Sequence, residues 1–437
     1  MKNHLLISAL VFFTFSFINP IHASHEAGGN IKYKALGGNK YYVEAEAYRD
    51  CAGIQLSVSS VTVSALCSSS SSNTTYTLNL KPYVAPSKNI YGLSYSAITF
   101  TSGTTAFSVE EISDVCDSVL NPSINPDSRC RNRTGLISGF TRFKYSGIIT
   151  LTACNYWTLG FNAYKSVGSN SNVSSTTNWV ETKINSKDFS NNSSPNFGNE
   201  HRPHFNACVG QASEYHLGSN DPDGDSLTYK LVCTKSGPNR CVGYRSGFSA
   251  TLPVRGASLD SLTGRFKFNP GSAGYYSITY LVSEYERCTG KWKASTLRDI
   301  SMTTFTCTNS APKYTHGVHK VTGTATKLDS FSLKIKTGFK FTIEDTIYDP
   351  NTTDTVMILS NHLAEFPGSK LTTTSISKNK MHYKFSWTPS AGTKGVKFLH
   401  LTLSDDKCDY PGKRRIAISL DVTPEVSISK NGSTRAD

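Results

Sequence analysis

The chain has 437 residues and carries 45 Lys and Arg against 32 Asp and Glu, a net charge of +13. A basic surface attracts anionic partners, acidic polysaccharide or lipopolysaccharide among them, but charge speaks to association and not to fold. The positive residues are scattered apart from Lys413, Arg414 and Arg415, and no recognition helix, zinc finger or RNA-binding signature accompanies them, which excludes nucleic acid as the leading partner.

The chain opens on a leader. Lys2, an apolar core from Leu5 to Ile18 and the small Ala23 predict a signal peptide over 1–23 and a mature start at Ser24. Asn19, Pro20 and His22 end the apolar run short of the ~20 residues that a bilayer span takes. No later segment is long and apolar enough to cross, and the first cysteine, Cys51, lies too far on for a lipoprotein anchor.

Beyond the leader the signal is β. KYYVEAEAY (Lys40 to Tyr48), YYSITYLV (Tyr275 to Val282) and KFLHLTLS (Lys397 to Ser404) alternate apolar with polar residues and are rich in β-branched and aromatic types. Gly, Ser, Asn and Pro clusters between such runs mark turns, and Ser68 to Ser72 reads as a hairpin loop. Only SVEEISDVCDSVL, Ser108 to Leu120, carries a helical-turn pattern, and a disulfide-tied loop fits it equally. Ser/Asn-rich stretches at Ser166 to Asn178 and Ser186 to Asn199 close the first region. The expected organisation is an N-terminal β-sandwich over 24–191, two repeats over 192–308 and 309–424, and a polar tail over 425–437.

The repeats rest on three pairs of landmarks in one order. NSSPNF at Asn192 to Phe197 returns as NSAPKY at Asn309 to Tyr314, an offset of 117 residues (309 − 192). DPDGDSLTY (Asp221 to Tyr229) is echoed by DPNTTDTVM (Asp349 to Met357). FKFNPGSAGYYSITYLVSEYERC, Phe266 to Cys288, returns as FSWTPSAGTKGVKFLHLTLSDDKC, Phe385 to Cys408. A period this long means tandem domains and not a solenoid.

Eleven cysteines and no C-x-x-C pair point to disulfides in an oxidising compartment. Short separations nominate Cys51 with Cys67, Cys116 with Cys130, and Cys233 with Cys241. The odd total leaves a thiol over, with Cys154 and Cys408 the candidates.

The acidic turn is the strongest site signal. Asp221, Asp223 and Asp225 alternate around Gly224, an oxygen-rich arrangement suited to a hard cation such as calcium, with Asn220 or a backbone carbonyl and Glu284 as further ligands. An EF-hand is excluded, because Ser226 and Val232 stand where that loop needs Gly and Glu. The competing reading is an acidic β-turn without metal. In the second copy Asp349 and Asp354, with Asp345, are weaker candidates because the glycine is lost and the spacing has slipped.

Enzymatic signals are thin. Glu200, His201 and His204 lie in NEHRPHF without a helix to align the imidazoles, and no G-x-S-x-G elbow occurs. Trp157, Trp179 and Trp387 read as core, whereas Trp292 in TGKWKAS is the candidate glycan contact. Sequons such as those at Asn73, Asn132 and Asn351, and the triplet Asp260-Ser261-Leu262, are ordinary turn chemistry as well as acceptor motifs.

The stretch SHEAGGNIKYKALGGNKYYVEAEAYRDC (Ser24 to Cys51) resembles the opening of gliding-motility-associated or type IX-secreted surface adhesins of the Bacteroidota. The likeness continues through YSGIITLTACNYW (Tyr145 to Trp157), NNSSPNF (Asn191 to Phe197), the DPDGD turn, LDSLTGRFKFNP (Leu259 to Pro270) and VSEYERCTGKWKASTLRD (Val282 to Asp299). It implies an all-β chain of tandem immunoglobulin-like or cadherin-like β-sandwiches with disulfides, forming an exported, non-enzymatic rod braced by calcium that presents binding surfaces. Such chains continue into a C-terminal sorting domain. The sequence stops soon after IAISLDVT (Ile416 to Thr423), which leaves the periplasm or outer-membrane association as the alternative to the cell surface. Expected partners are other envelope or surface proteins, in a homo- or hetero-oligomer. The alternative function is an accessory or scaffold subunit of a surface filament that pairs by exposed edge strands. A carbohydrate-binding or carbohydrate-active protein is the third.

Overall fold

The computed structural model describes residues 26–53, 59–70, 73–84, 96–102, 105–115, 128–130, 137–164, 170–174, 177–197, 202–408 and 410–424. The leader over 1–23, Ser24, Cys116, Asn132, Glu200, His201 and the tail over 425–437 lie outside these residues. The described chain is all-β, built of β-sandwich units, and its one described helix, His362–Glu365, is a single turn. Among the described residues no helix is long and apolar enough to cross a membrane.

Ser108 to Glu111, expected as a helical turn, end the strand Thr105–Glu111, which pairs with Ser96–Ser102. The two acids at the end of this strand are buried and hydrogen-bonded. Glu110 accepts from Arg142 Nε at 2.9 Å, and Glu111 accepts from Ser113 and Ser128. The strand Lys40–Asp50 shows a related departure. Its alternation separates two kinds of burial: Tyr41, Val43, Ala45 and Ala47 enter an apolar core, while Glu46 on the other face is buried among Lys32, Arg142 and the Tyr48 hydroxyl.

Hydrogen-bonded sheets run across the sequence boundaries. The strand Trp292–Phe305 pairs with Gly274–Tyr285 of its own repeat, and also with Thr177–Ile184 and Glu26–Gly37 of the N-terminal region. The sheet therefore passes the point near Asn192 without a break. Gly28 makes the approach feasible: its φ is +125°, and a Cβ there would lie 2.2 Å from the Asp299 carbonyl oxygen. Further on, Ser213–His216 runs parallel to Lys413–Thr423, with Tyr215 opposite Arg415, and joins the repeats into one sheet.

The N-terminal region also touches the second repeat directly. Asp114 is 2.7 Å from Lys413 and 3.1 Å from Arg415, and the Tyr410 hydroxyl accepts the Ser138 N–H. The units are thus cross-braced and do not stand in a simple linear series. Each has its own apolar centre, around Phe143 and Leu159 in the first, Phe266 and Tyr280 in the second, and Phe385 and Leu401 in the third. Trp157, Trp179 and Trp387 are buried.

Both repeats carry the same wiring. The acidic turn leads into a short strand, Ser226–Leu231 or Met357–Ser360, that pairs antiparallel with Gly274–Tyr285 or Gly395–Ser404. That strand in turn pairs with the last long strand, Trp292–Phe305 or Lys413–Thr423.

Four disulfides lie among the described residues, as an oxidising compartment permits. Cys233 bonds Cys241. Cys51 bonds Cys130 and not Cys67, so Cys130 does not pair with Cys116, and Cys67 bonds Cys154, because the fold brings together residues that are 79 and 87 positions apart. Cys208 bonds Cys307, and Cys408 is also disulfide-bonded. Cys154 and Cys408 are therefore not the spare thiol; Cys288 is free and exposed.

Candidate cation site

Asp221, Asp223 and Asp225 each offer an oxygen within 4.8 Å of the others, the only such trio of His, Cys, Asp or Glu among the described residues. The turn is held by its own backbone. Asp221 Oδ1 accepts the N–H groups of Asp223 at 2.9 Å and Asp225 at 3.0 Å, and Gly224 adopts φ +79°, a conformation that favours glycine. Asp223 Oδ2 accepts the Ser193 N–H at 2.7 Å, and Asp225 Oδ2 meets the Lys293 ammonium at 2.6 Å.

Three buried oxygens of this cluster lack partners. Asp221 Oδ2, Glu284 Oε1 and Asn192 Oδ1 are buried without a hydrogen bond, in residues 2%, 0% and 3% exposed. Asn192 donates its amide to Glu284 Oε2 at 2.7 Å and to the Tyr33 hydroxyl at 3.0 Å. Burial and then the charge of Asp221 push the Glu284 carboxyl well above its ordinary range. Asp221 is pushed up to about 6, by burial first and by the neighbouring Asp225 and Asp223 charges, against the Asp225 N–H bond that lowers it. Burial also raises Asp225, with Lys293 opposing.

Unpaired buried carboxylates are costly unless neutralised, and two routes exist here: a retained proton or a bound cation. An all-oxygen donor set of Asp221, Asp223, Asp225, Glu284 and Asn192 fits calcium better than a softer metal. Lys293 already neutralises part of the charge at Asp225.

The turn sits where all three parts of the chain meet. Ser193 and Ser194, beside Asn192, bond the N–H groups of Ala35 and Tyr33. Asn220, expected as a ligand, faces away: its Oδ1 accepts the Phe398 N–H at 2.8 Å and its amide reaches Glu365 at 3.0 Å, both in the second repeat. Asn192 was missed as a site residue, although NSSPNF and NSAPKY marked it as the start of each repeat.

The other candidate residues separate. Asp349 and Asp354 lie at the matching turn of the second repeat, whereas Asp345 is spent elsewhere, accepting the N–H groups of His316 and Gly317. His204 is a buried strand residue stacked 3.5 Å from Phe140. Trp292 is half-buried, edge-on to the exposed Tyr156 at 6.2 Å, with Lys183 over the Tyr156 ring at 5.1 Å.

No protein-family model and no curated protein matches the chain. Among solved structures it is similar to an endo-fucoidan hydrolase of glycoside hydrolase family 107, at 17% identity over 65% of this chain and 36% of that one, with a TM-score of 0.17. It is similar to the zebrafish RET cadherin-like domains 1 to 4 at 10% identity over 50% of this chain and 46% of that one, TM-score 0.16. It is also similar to an S-layer protein, rSbsC, at 9% identity over 94% of this chain and 58% of that one, TM-score 0.15. Scores this low carry no argument about activity or kinship.

Proposed function

We propose that the chain is an exported, non-enzymatic structural or adhesion protein of the bacterial cell surface, akin to the gliding-associated adhesins that its sequence resembles. Its work is mechanical. Cross-braced β-sandwiches hold binding surfaces in fixed relation, and calcium at Asp221, Asp223, Asp225 and Glu284 locks the point where the three parts converge. The observation that carries this reading is the trio of unpartnered buried oxygens on Asp221, Glu284 and Asn192 at that convergence. Disulfides between distant strands add resistance to unravelling. The location is tested by external protease on intact cells that express a tagged full-length chain beside a periplasmic control. Cleavage of the chain with the control protected supports the surface; protection of both moves the protein to the periplasm.

One observation favours a second reading, a filament or envelope subunit that associates by strand pairing. The strand Lys370–Ser377 (KLTTTSIS) is exposed along most of its length and ends the order of its sheet, hydrogen-bonded on one side to Lys380–Trp387. An open edge of this kind is a template for another strand. Copurification of a stoichiometric partner that a proline at Thr373 abolishes separates this reading from a self-sufficient adhesin.

A further inference from the structure

We infer that the second repeat holds its own calcium-type cation, bound by Asp349, Asp354, Asp405 and the side-chain oxygens of Asn309 and Asn351. Three contacts of the first site recur there. Asn309 donates its amide to Asp405 Oδ2 at 2.9 Å, as Asn192 does to Glu284. The Ser310 N–H bonds Asn351 Oδ1 at 3.1 Å, as the Ser193 N–H bonds Asp223. Asp349 Oδ1 accepts the Asn351 N–H at 2.7 Å, as Asp221 Oδ1 accepts that of Asp223.

Two of the three left-over oxygens recur as well. Asp349 is 1% exposed and its Oδ2 has no partner; the Asn309 Oδ1 has none either. These oxygens face carboxylates: burial, and then the charges of Asp405, Asp354 and Asp406, push Asp349 up, against the bond from Asn351. Asp405 is fully buried and accepts the N–H groups of Lys407 and Gly412. No ammonium takes the place that Lys293 takes at the first site: the described ion pairs include none to Asp349, Asp354 or Asp405. The cluster is looser than the first, since no three of its carboxylates come within 4.8 Å of one another. An ion of variable coordination and oxygen preference is what such a shell accommodates.

This inference shares one premise with the first site, that unpartnered buried carboxylate oxygens mark a cation, so the test scores the sites separately. Calcium is titrated calorimetrically into the chelator-stripped mature chain and into the variants Asp221→Asn and Asp349→Asn, each checked for native near-ultraviolet dichroism. Asn keeps the Oδ1 acceptor that shapes each turn, and Asp405→Asn serves in place of Asp349→Asn if that variant misfolds. The expected result is two ions per wild-type chain and one per single variant. One ion lost only in Asp221→Asn overturns the second site and leaves the first. One ion lost only in Asp349→Asn does the reverse, and no binding overturns both.

Discussion

Asp114 and Lys413 stand 299 residues apart in the chain and 2.7 Å apart in space. Asp114 is buried, and although burial opposes ionisation, Lys413 and Arg415 hold its carboxyl well below the carboxylate range. Arg202 packs beside the group and donates to the Ser113 carbonyl. Removing the acid leaves buried cations without a counter-charge. Asp114→Ala is expected to cost about 3–5 kcal/mol, the scale for breaking one side of a buried pair. Urea unfolding of the two proteins measures it; a loss under 1 kcal/mol, about the worth of an exposed pair, would mean that the N-terminal region does not clamp the second repeat.

The glycine pair near the mature start is explained by a close approach. Gly28→Ala places a Cβ 2.2 Å from the Asp299 oxygen at a φ that side chains rarely adopt. We expect a loss of at least about 2 kcal/mol. Gly38→Ala is the control, since its φ is also positive but no atom lies within 4 Å. Equal losses in both variants would show that backbone conformation alone, and not the contact between strands, makes the position glycine.

Acid should weaken the fold through buried histidines. Burial lowers His204 and His400 to about 3, and lowers His216 well below its ordinary value of 6.5. With the folded value below the unfolded one, the unfolded chain takes up protons first. Stability is whole above about 6.5 and drains as pH falls toward 3. His204→Asn removes one titrating group, so the slope of unfolding free energy against pH between 6 and 4 should flatten; an unchanged slope contradicts the assignment.

The thiol chemistry is equally specific. In the native chain a maleimide is expected to label Cys288, and digestion without reduction should yield peptides linking Cys51 to Cys130 and Cys67 to Cys154. Breaking Cys208–Cys307, which closes a span of 99 residues, should cost about 2–5 kcal/mol.

The all-β class was legible because alternation and turn residues are local signals. The repeat and its acidic turn were legible because Asp221 and Gly224 carry a compact motif. What was hidden depends on long-range register. Short spacing favoured Cys51 with Cys67, but the chain end of the strand Lys40–Asp50, where the Cys51 N–H bonds the Gly139 carbonyl, meets Cys130 instead. Nothing local in WKASTLRDISMTTF announces that this strand pairs with the N-terminal region as well as its own repeat. Ser108 to Leu120 read as a helical turn or a tied loop because the partners of Glu110 and Glu111, Arg142 and Ser128, lie further along the chain. Asn192 escaped notice as a site residue because an amide in a Ser/Asn-rich stretch looks like a linker until its contact with Glu284 is seen.

If calcium braces the convergence of the three parts, thermal unfolding of the mature chain differs between calcium and chelator. At a calcium concentration 100 times the dissociation constant, one site adds about 2.7 kcal/mol. A higher Tm in calcium than in chelator is expected, with the gain reduced in Asp221→Asn and in Glu284→Gln. The same Tm with and without calcium, in wild type and variants alike, would contradict it and leave Asp221 and Glu284 as carboxyls that keep their protons.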